Sequence, residues 1–329
     1  MSNLHPFAQT IRTLGRGKKG TKDLTEEEAY TAFSLVLKEE VEPEQLGAFL
    51  MLLRVKEETP GELAGFVRAA REYLILPANA PAIQLDWSSY AGKRRHLPWY
   101  VLSALLLAEN GIYILMHGIK GIKDNRAYTR DALAALGLTP ANSLTQATAQ
   151  IQANHFAFIE LQNLHPKLAK LISLRQLLGL RSPVHSLCRL LNPFSAPHMI
   201  QGIFHPGYQV RHQEAALLLQ QPHLCVIKGD GGEAERNPDN DCEVLSIRNN
   251  KACSEVWPAL YAQRHLKDKT MDCTRLRTAW QGKEEDEYGR AAIISTAALV
   301  LKLLGQAETQ NSALEQAQTL WAERPKDKF

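Results

Sequence analysis

The sequence predicts a two-part α/β protein, with a small all-helical domain over residues 1–76 and a larger α/β domain with a mostly parallel sheet over residues 82–329. Three observations lead there. The first part repeats helix-start signals followed by apolar residues at helical spacing. Beyond it, short apolar runs alternate with amphipathic stretches. Between the two patterns lies a Pro/Ala-rich linker, Pro77 to Pro81.

Thr25-x-x-Glu28 reads as a capping box, after which Ala29, Phe33, Val36 and Leu37 fall on one helical face. Pro43 opens the next helix, where Leu46, Phe49, Leu50 and Leu53 recur at helical spacing. Thr59-Pro60-Gly61-Glu62 repeats the signal for a helix reaching about Leu74. Short connections between such helices argue a bundle, which helices from about 166–185 are expected to join. In the second part, strands are expected at Ala82–Trp87, Ile112–Met116, Phe156–Leu161, Leu224–Lys228 and Glu243–Ile247. Helices are expected near Pro98–Glu109, Ala127–Leu136, Pro166–Leu178, Gly207–Gln221 and Tyr288–Leu304. Cys253–Lys283 shows no clear period.

With 45% hydrophobic and 22% charged residues the composition is that of an ordinary globular chain, so disorder is excluded as the default. The longest apolar run, Tyr100 to Ala108, is too short to cross a bilayer. The first residues lack a basic stretch leading into an apolar one, and the cysteines are odd in number without a Cys-x-x-Cys. A cytoplasmic protein with reduced thiols is therefore expected.

The net charge of +3 says little, but its distribution says more. Arg12, Arg16, Lys18, Lys19 and Lys22 stand against Asp23 alone before Leu24. Lys93, Arg94, Arg95, Lys120, Lys123, Arg126 and Arg130 stand against Glu109 and Asp124 between Ala91 and Arg130. Such segregation makes local positive fields that attract polyanions, although solvated basic loops produce the same pattern.

Several motifs occur in an order that resembles one family. They begin with Leu24-Thr25-x-Glu-Glu-Ala29, Gln45-Leu-Gly-Ala-Phe-Leu50 and Arg54-x-Lys56-x-Glu-Thr59-Pro60-x-Glu62. His117-Gly118, Ala132-Leu-Ala-Ala-Leu-Gly137, His165-Pro166, Arg175-x-x-Leu178-Gly179-x-Arg181 and Asn192-Pro193 follow. Over residues 8 to 305 the chain resembles the anthranilate phosphoribosyltransferases. The resemblance implies their class III phosphoribosyltransferase, nucleoside phosphorylase-like fold. It also implies transfer of a ribose phosphate from phosphoribosyl pyrophosphate, with magnesium on the diphosphate.

That chemistry needs N–H groups and hydroxyls around a diphosphate, and metal ligands. The family's Gly-Thr-Gly-Gly-Asp loop falls on Ser88-Ser-Tyr-Ala-Gly92, with bulky Tyr90 where the backbone should approach a phosphate. Its Asn-x-Ser-Thr falls on Leu97-Pro98-Trp99-Tyr100, and its Lys-His-Gly-Asn-Arg on Met116-His-Gly-Ile-Lys120. Its Gly-Pro falls on Cys188-Arg189, and its magnesium-binding Asp-Glu pair on Gly229-Asp-Gly-Gly-Glu-Ala-Glu235. Phosphate-contacting motifs are lost while packing landmarks remain. Three features instead look like the YbiB-like branch of the family. They are Gly15-Arg-Gly-Lys18, Ser89-Tyr90-x-Gly92 followed by Lys93-Arg94-Arg95, and Gly-Glu followed by Asn237-Pro238. Resemblance to that branch implies a homodimer through the helical domain that binds single- and double-stranded DNA and RNA with little sequence preference.

The expectation is therefore a non-enzymatic nucleic-acid-binding protein with no cofactor, no catalytic residue and no metal site. The alternative is a phosphoribosyltransferase with a rebuilt pocket, using phosphoribosyl pyrophosphate and magnesium; a protein-interaction scaffold would bind neither. From charge and position, the binding residues are expected to be Lys93, Arg94, Arg95, Lys120, Lys123, Arg126, Arg130, Arg16, Lys18 and Lys19. Lys93-Arg94-Arg95 should sit at the N-terminus of the helix opening at Pro98, where the dipole favours an anion. Tyr90, Trp99, Tyr113 and Tyr128 lie among these cations, where stacking on bases competes with core packing. His198, His205, His212 and His223 match no ligand spacing, and Lys228-Gly-Asp-Gly-Gly232 reads as a plain turn.

Overall fold

A computed structural model describes residues 4–17, 19–121 and 125–329. Helices α1 (Ala8–Gly15), α2 (Glu26–Leu37), α3 (Pro43–Lys56) and α4 (Pro60–Arg71) form the N-terminal bundle. Both capping boxes are present, Thr25 with Glu28 and Thr59 with Glu62. Glu62 does more than cap. Fully buried, it also accepts from Leu24 N and pairs with Lys56 at 2.8 Å, tying the α1–α2 connection to α3 and α4. Phe33, Leu37, Phe49 and Leu53 all fill the bundle's own interior.

The second part runs β1 (Leu85–Ser89), α5 (Tyr100–Glu109), β2 (Ile114–Gly118), α6 (Thr129–Ala135), α7 (Leu144–Asn154) and β3 (Phe156–Glu160). Four short helices follow, α8 (Leu161–Leu164), α9 (Pro166–Ser173), α10 (Arg175–Leu178) and α11 (Val184–Leu187). Here the chain crosses back to the bundle: Lys167 Nζ reaches Leu37 O, Lys170 pairs with Glu39, and His165 Nε2 lies 3.1 Å from Ala70 O. It then continues through β4 (His198–Ile203), α12 (Pro206–Leu218), β5 (His223–Lys228), β6 (Cys242–Arg248) and β7 (Lys251–Trp257). Helices α13 (Thr274–Trp280), α14 (Glu287–Leu303) and α15 (Gln310–Glu323) complete it.

The sheet order is β3-β2-β1-β4-β5-β6-β7, parallel as far as β5 and antiparallel at β6 and β7. Strand alternation divides two cores. Ala157, Ile159, Leu224 and Val226 face the bundle side, while Phe156, Phe158, Cys225 and Ile227 face α5 and α14. α14 is buried along nearly its whole length, since α5, α15 and the sheet surround it. Gly289 lets it close on Trp99, because a Cβ there would meet the indole at 2.5 Å.

Two strands were not expected. β4 carries Gln201 and Gly202 in a run too mixed to read as apolar, yet it is central and pairs with β1 and β5. β7 is a mostly exposed edge strand whose Lys251 and Glu255 hide its period while protecting the edge. Strand order reverses at β1 and β4, so the crevice beyond their carboxyl ends is where open α/β sheets gather ligands.

Candidate nucleic-acid interface at the carboxyl edge of the sheet

Beyond β1 the chain turns through Tyr90, Ala91 and Gly92, and the N–H groups of Ala91 and Gly92 converge on one point. That point holds the protein's own carboxylate: Glu233 Oε1 accepts from both, at 2.6 and 2.5 Å. Glycines make the insertion possible. A Cβ on Gly202 would stand 2.0 Å from the Glu233 carbonyl carbon, and one on Gly229 would stand 1.7 Å from its oxygen. The Lys228–Gly232 stretch is thus not a plain turn. Its glycines, with Gly231 and Gly232 at positive φ, drop the following segment onto the strand ends. Burial raises the Glu233 carboxyl pKa, opposed by the two N–H donors and Arg189.

Lys93, expected to contact phosphate, is instead buried and paired within the protein. Its side chain is 1% exposed and pairs with Glu235 at 2.6 Å, with Asp230 3.7 Å away. The other oxygen of Glu235 accepts from Tyr100 N at 2.8 Å. The helix N-terminus proposed for phosphate is therefore filled from within by Glu235. Arg126 is turned to structural use, donating to Ala91 O and Gly92 O at 2.8 and 3.0 Å. Arg130 is committed to Glu160 at 3.0 Å. Arg94, Arg95 and Lys120 are exposed. Arg16 and Lys19 are exposed in the α1–α2 connection and line none of the clefts described below. Lys18 and Lys123 lie outside the described residues.

The aromatic candidates are core. Tyr90, Trp99 and Tyr128 are buried, and Tyr113 is half-buried against His155. Tyr90 turns away from the loop mouth, with its hydroxyl 2.7 Å from His117 Nδ1, whose Nε2 lies 3.2 Å from Asp86. His212 is buried against Gln201, His198 stacks on His223, and His205 is exposed. Among the described residues no group of three or more His, Cys, Asp or Glu is placed to hold a metal ion.

Three clefts follow one another along the carboxyl edge. The first lies between Lys120 after β2 and Arg175 of α10. The second, between the bundle and the sheet, is bordered by Arg54, Glu58, Arg181, His185, Arg189 and Phe204. Burial lowers the Arg181 guanidinium to about 10, and Arg189, Arg175 and Arg126 push the same way. Such crowded guanidinium groups favour an anion among them. Burial, then Arg181 and Arg189, hold His185 near 3 and uncharged. Glu58, the acid here, is buried and taken up by Ser186 Oγ at 2.5 Å.

The third cleft, beyond Phe204, gathers Arg95, Lys228, Arg264 and Lys267. All four cations are exposed, and among the described residues none is paired with a carboxylate. Its acids are engaged instead: Asp239 by His265 at 2.7 Å, Asp241 by Ala259 N at 2.8 Å, and Asp230 beside Lys93. Arg264 and Lys267 arrive on the irregular strap between β7 and α13, the stretch without period. Side chains hold it in place of periodic bonds. Asp239 accepts from His265 N, Asp268 Oδ2 accepts from Leu97 N, and Asp268 N donates to Arg95 O. Burial alone would lower the His265 pKa, but the Asp239 and Glu287 carboxylates more than offset it and raise it.

Fold and site together define a helical bundle joined to an α/β domain, in which the N–H groups beyond β1 are occupied by the protein's own acid and the sheet edge carries cations that no carboxylate pairs among the described residues. The helical bundle domain of the glycosyl transferase family matches residues 8–74 and the a/b domain of that family matches residues 100–323, so the chain belongs to this family. An anthranilate phosphoribosyltransferase of Novosphingobium aromaticivorans is 29% identical, with 89% of this chain and 91% of that protein aligned. The uncharacterized protein YbiB of Escherichia coli is also 29% identical, over 77% of this chain and 82% of YbiB. Among solved structures, anthranilate phosphoribosyltransferase from Thermus thermophilus superposes with a TM-score of 0.80 at 22% identity, covering 97% of this chain and 95% of that one. The expected fold class, a small helical domain with a larger α/β domain and a mostly parallel sheet, is the fold observed.

Proposed function

We propose that this protein binds nucleic acid, DNA and RNA alike, through phosphate contacts along the carboxyl edge of the sheet, and that it catalyses no phosphoribosyl transfer. The observation that carries the reading is the pairing of two facts at one edge. The N–H groups that would receive a diphosphate hold Glu233, while Arg95, Lys228, Arg264 and Lys267 stand exposed and unpaired by described carboxylates next to them. Several exposed cations in one cleft suit a polyanion, and phosphate contacts carry no sequence information. Little sequence preference follows. The phosphate sites proposed are thus Arg94, Arg95 and Lys120 from the sequence, joined by Arg175, Arg181, Lys228, Arg264 and Lys267. A homodimer and a cytoplasmic location belong to the same proposal; neither Phe33 nor Phe49 is free to form the contact, being buried in the bundle.

Fluorescence anisotropy with two unrelated oligonucleotides, each as single strand and duplex, tests the reading. Both sequences should bind comparably and weaken together as salt rises. Saturable micromolar binding of phosphoribosyl pyrophosphate with magnesium, or product formed with anthranilate above a heat-killed control, would replace it with the transferase alternative.

A further inference from the structure

The second and third clefts meet at one residue, Phe204, which borders both. It is the first residue beyond β4, at the point where strand order reverses. Phe204 is 42% exposed, whereas every other Phe, Tyr and Trp residue, all of them in the described part, is buried or half-buried. Every other aromatic ring is at least partly withdrawn into the structure. The neighbours of Phe204 do little to cover it. Residues 204–207 are all exposed, and its ring meets that of His205 edge-on, 4.9 Å between centroids. A single exposed apolar residue is ordinary on a protein surface. What distinguishes Phe204 is its company: Arg54 and Arg181 line one of the two clefts it borders, and Arg95, Lys228, Arg264 and Lys267 line the other.

We infer that Phe204 is a stacking platform for an unpaired nucleobase, so that the edge holds single strands by base and phosphate together and duplexes by phosphate alone. The inference rests on the proposed nucleic-acid binding and names the strand form and the residue that selects it. A backbone lying on cations either side of the ring projects its bases across the ring. Every base has a π-face, so stacking adds affinity without reading sequence. In a duplex those faces are already covered by neighbouring base pairs, and a side chain approaching from outside meets only phosphate, sugar and groove edge.

The test uses the full chain and three oligonucleotide probes: a single strand, a duplex, and an abasic strand that keeps phosphates and lacks bases. Phe204→Ala should weaken single-strand binding by about fivefold to a hundredfold. Duplex and abasic-strand affinity should stay within about twofold, and the salt slope should not move, because no phosphate contact is removed. Phe204→Trp should keep single-strand affinity, and its emission should be quenched by the single strand and not by the abasic strand. The five native tryptophans are buried, so the new indole supplies the responsive signal. Wild-type single-strand affinity in folded Phe204→Ala, or Phe204→Trp emission indifferent to the single strand, overturns the stacking role. Phosphate binding would then stand if the wild type still bound all three probes with a steep salt slope. A wild type that binds none of the probes overturns both readings. Equal losses on all three probes would show Phe204 supporting the cation geometry and would likewise reject stacking.

Discussion

Removing the Glu233 carboxylate should both destabilise the protein and give it an anion site. Its Oε1 accepts two buried N–H groups, from Ala91 and Gly92. Hydrogen bonds to a charged group contribute about 1.5–3 kcal/mol each, against about 0.5–1.5 kcal/mol for neutral ones. Glu233→Gln keeps an acceptor oxygen but loses the charge, so about 2–3 kcal/mol is forfeited, partly offset because a neutral amide is cheaper to bury. Glu233→Ala leaves both donors without a partner, at about 1–3 kcal/mol each, and should cost about 3–5 kcal/mol in urea unfolding. The vacated N–H pair is then without an acceptor and is expected to take up an anion in place of the carboxylate. Inorganic pyrophosphate at a hundredfold excess over its dissociation constant should stabilise Glu233→Ala by about 2.7 kcal/mol and leave the wild type unmoved. Calorimetric scans with and without pyrophosphate read both effects. A wild type stabilised as much as the variant would show that Glu233 does not block the loop. A cost below about 1 kcal/mol for Glu233→Ala would show that the two bonds carry little and that Glu233 does not hold this turn.

Three other outcomes follow from buried groups. Lys93→Met strands Glu235 without its cation, so it should cost about 3–5 kcal/mol, while Lys93→Met with Glu235→Gln recovers part; equal costs would refute the pairing. His212 is buried and held near pH 3 by burial and then by Arg189, so its folded pKa is depressed below the unfolded value. Its contribution is therefore complete above about pH 6.5 and is lost on acidification toward pH 3. Between pH 7 and pH 5 the wild type should lose about 2 kcal/mol more than His212→Gln, and parallel unfolding curves would exclude that. Light scattering should give a dimer mass at tens of micromolar protein, and a monomer mass would remove the assembly part of the proposal.

How far the sequence revealed this site depended on how each residue's surroundings are encoded. Capping boxes at Thr25 and Thr59 are local chemistry, and both stand where the spacing put them. β4 was missed because Gln201 and Gly202 interrupt its apolar run, although Gly202 is what admits Glu233. Lys93, Arg94 and Arg95 look equivalent in sequence, yet Lys93 is buried and the other two are exposed. The difference is Glu235, whose separation of 142 residues along the chain no local pattern encodes. Arg175 and Arg181 stand in the sequence only as landmarks of the resemblance, and the fold shows that they crowd with Arg126 and Arg189. Arg264 and Lys267 lay in the stretch without period, because side-chain bonds to Asp239 and Asp268 shape it. Phe204 carried no signal in sequence, since exposure at a strand end is a property of the sheet.

If the cations of this edge contact phosphates, binding must weaken steeply as salt rises and must lose that dependence when they are removed. Arg95, Lys228, Arg264 and Lys267 should be replaced together by alanine, all four being exposed in one cleft. Each phosphate contact contributes roughly 0.9 to the slope of log affinity against log salt for a duplex and roughly 0.7 for a single strand. The variant should therefore bind unrelated sequences equally weakly, with a slope flatter by about 3 to 4 on duplex and by about 3 on single strands. Lys251→Ala, at the β6–β7 turn on the opposite edge of the sheet, should leave affinity and slope unchanged. A folded quadruple variant that keeps wild-type affinity and slope contradicts the account.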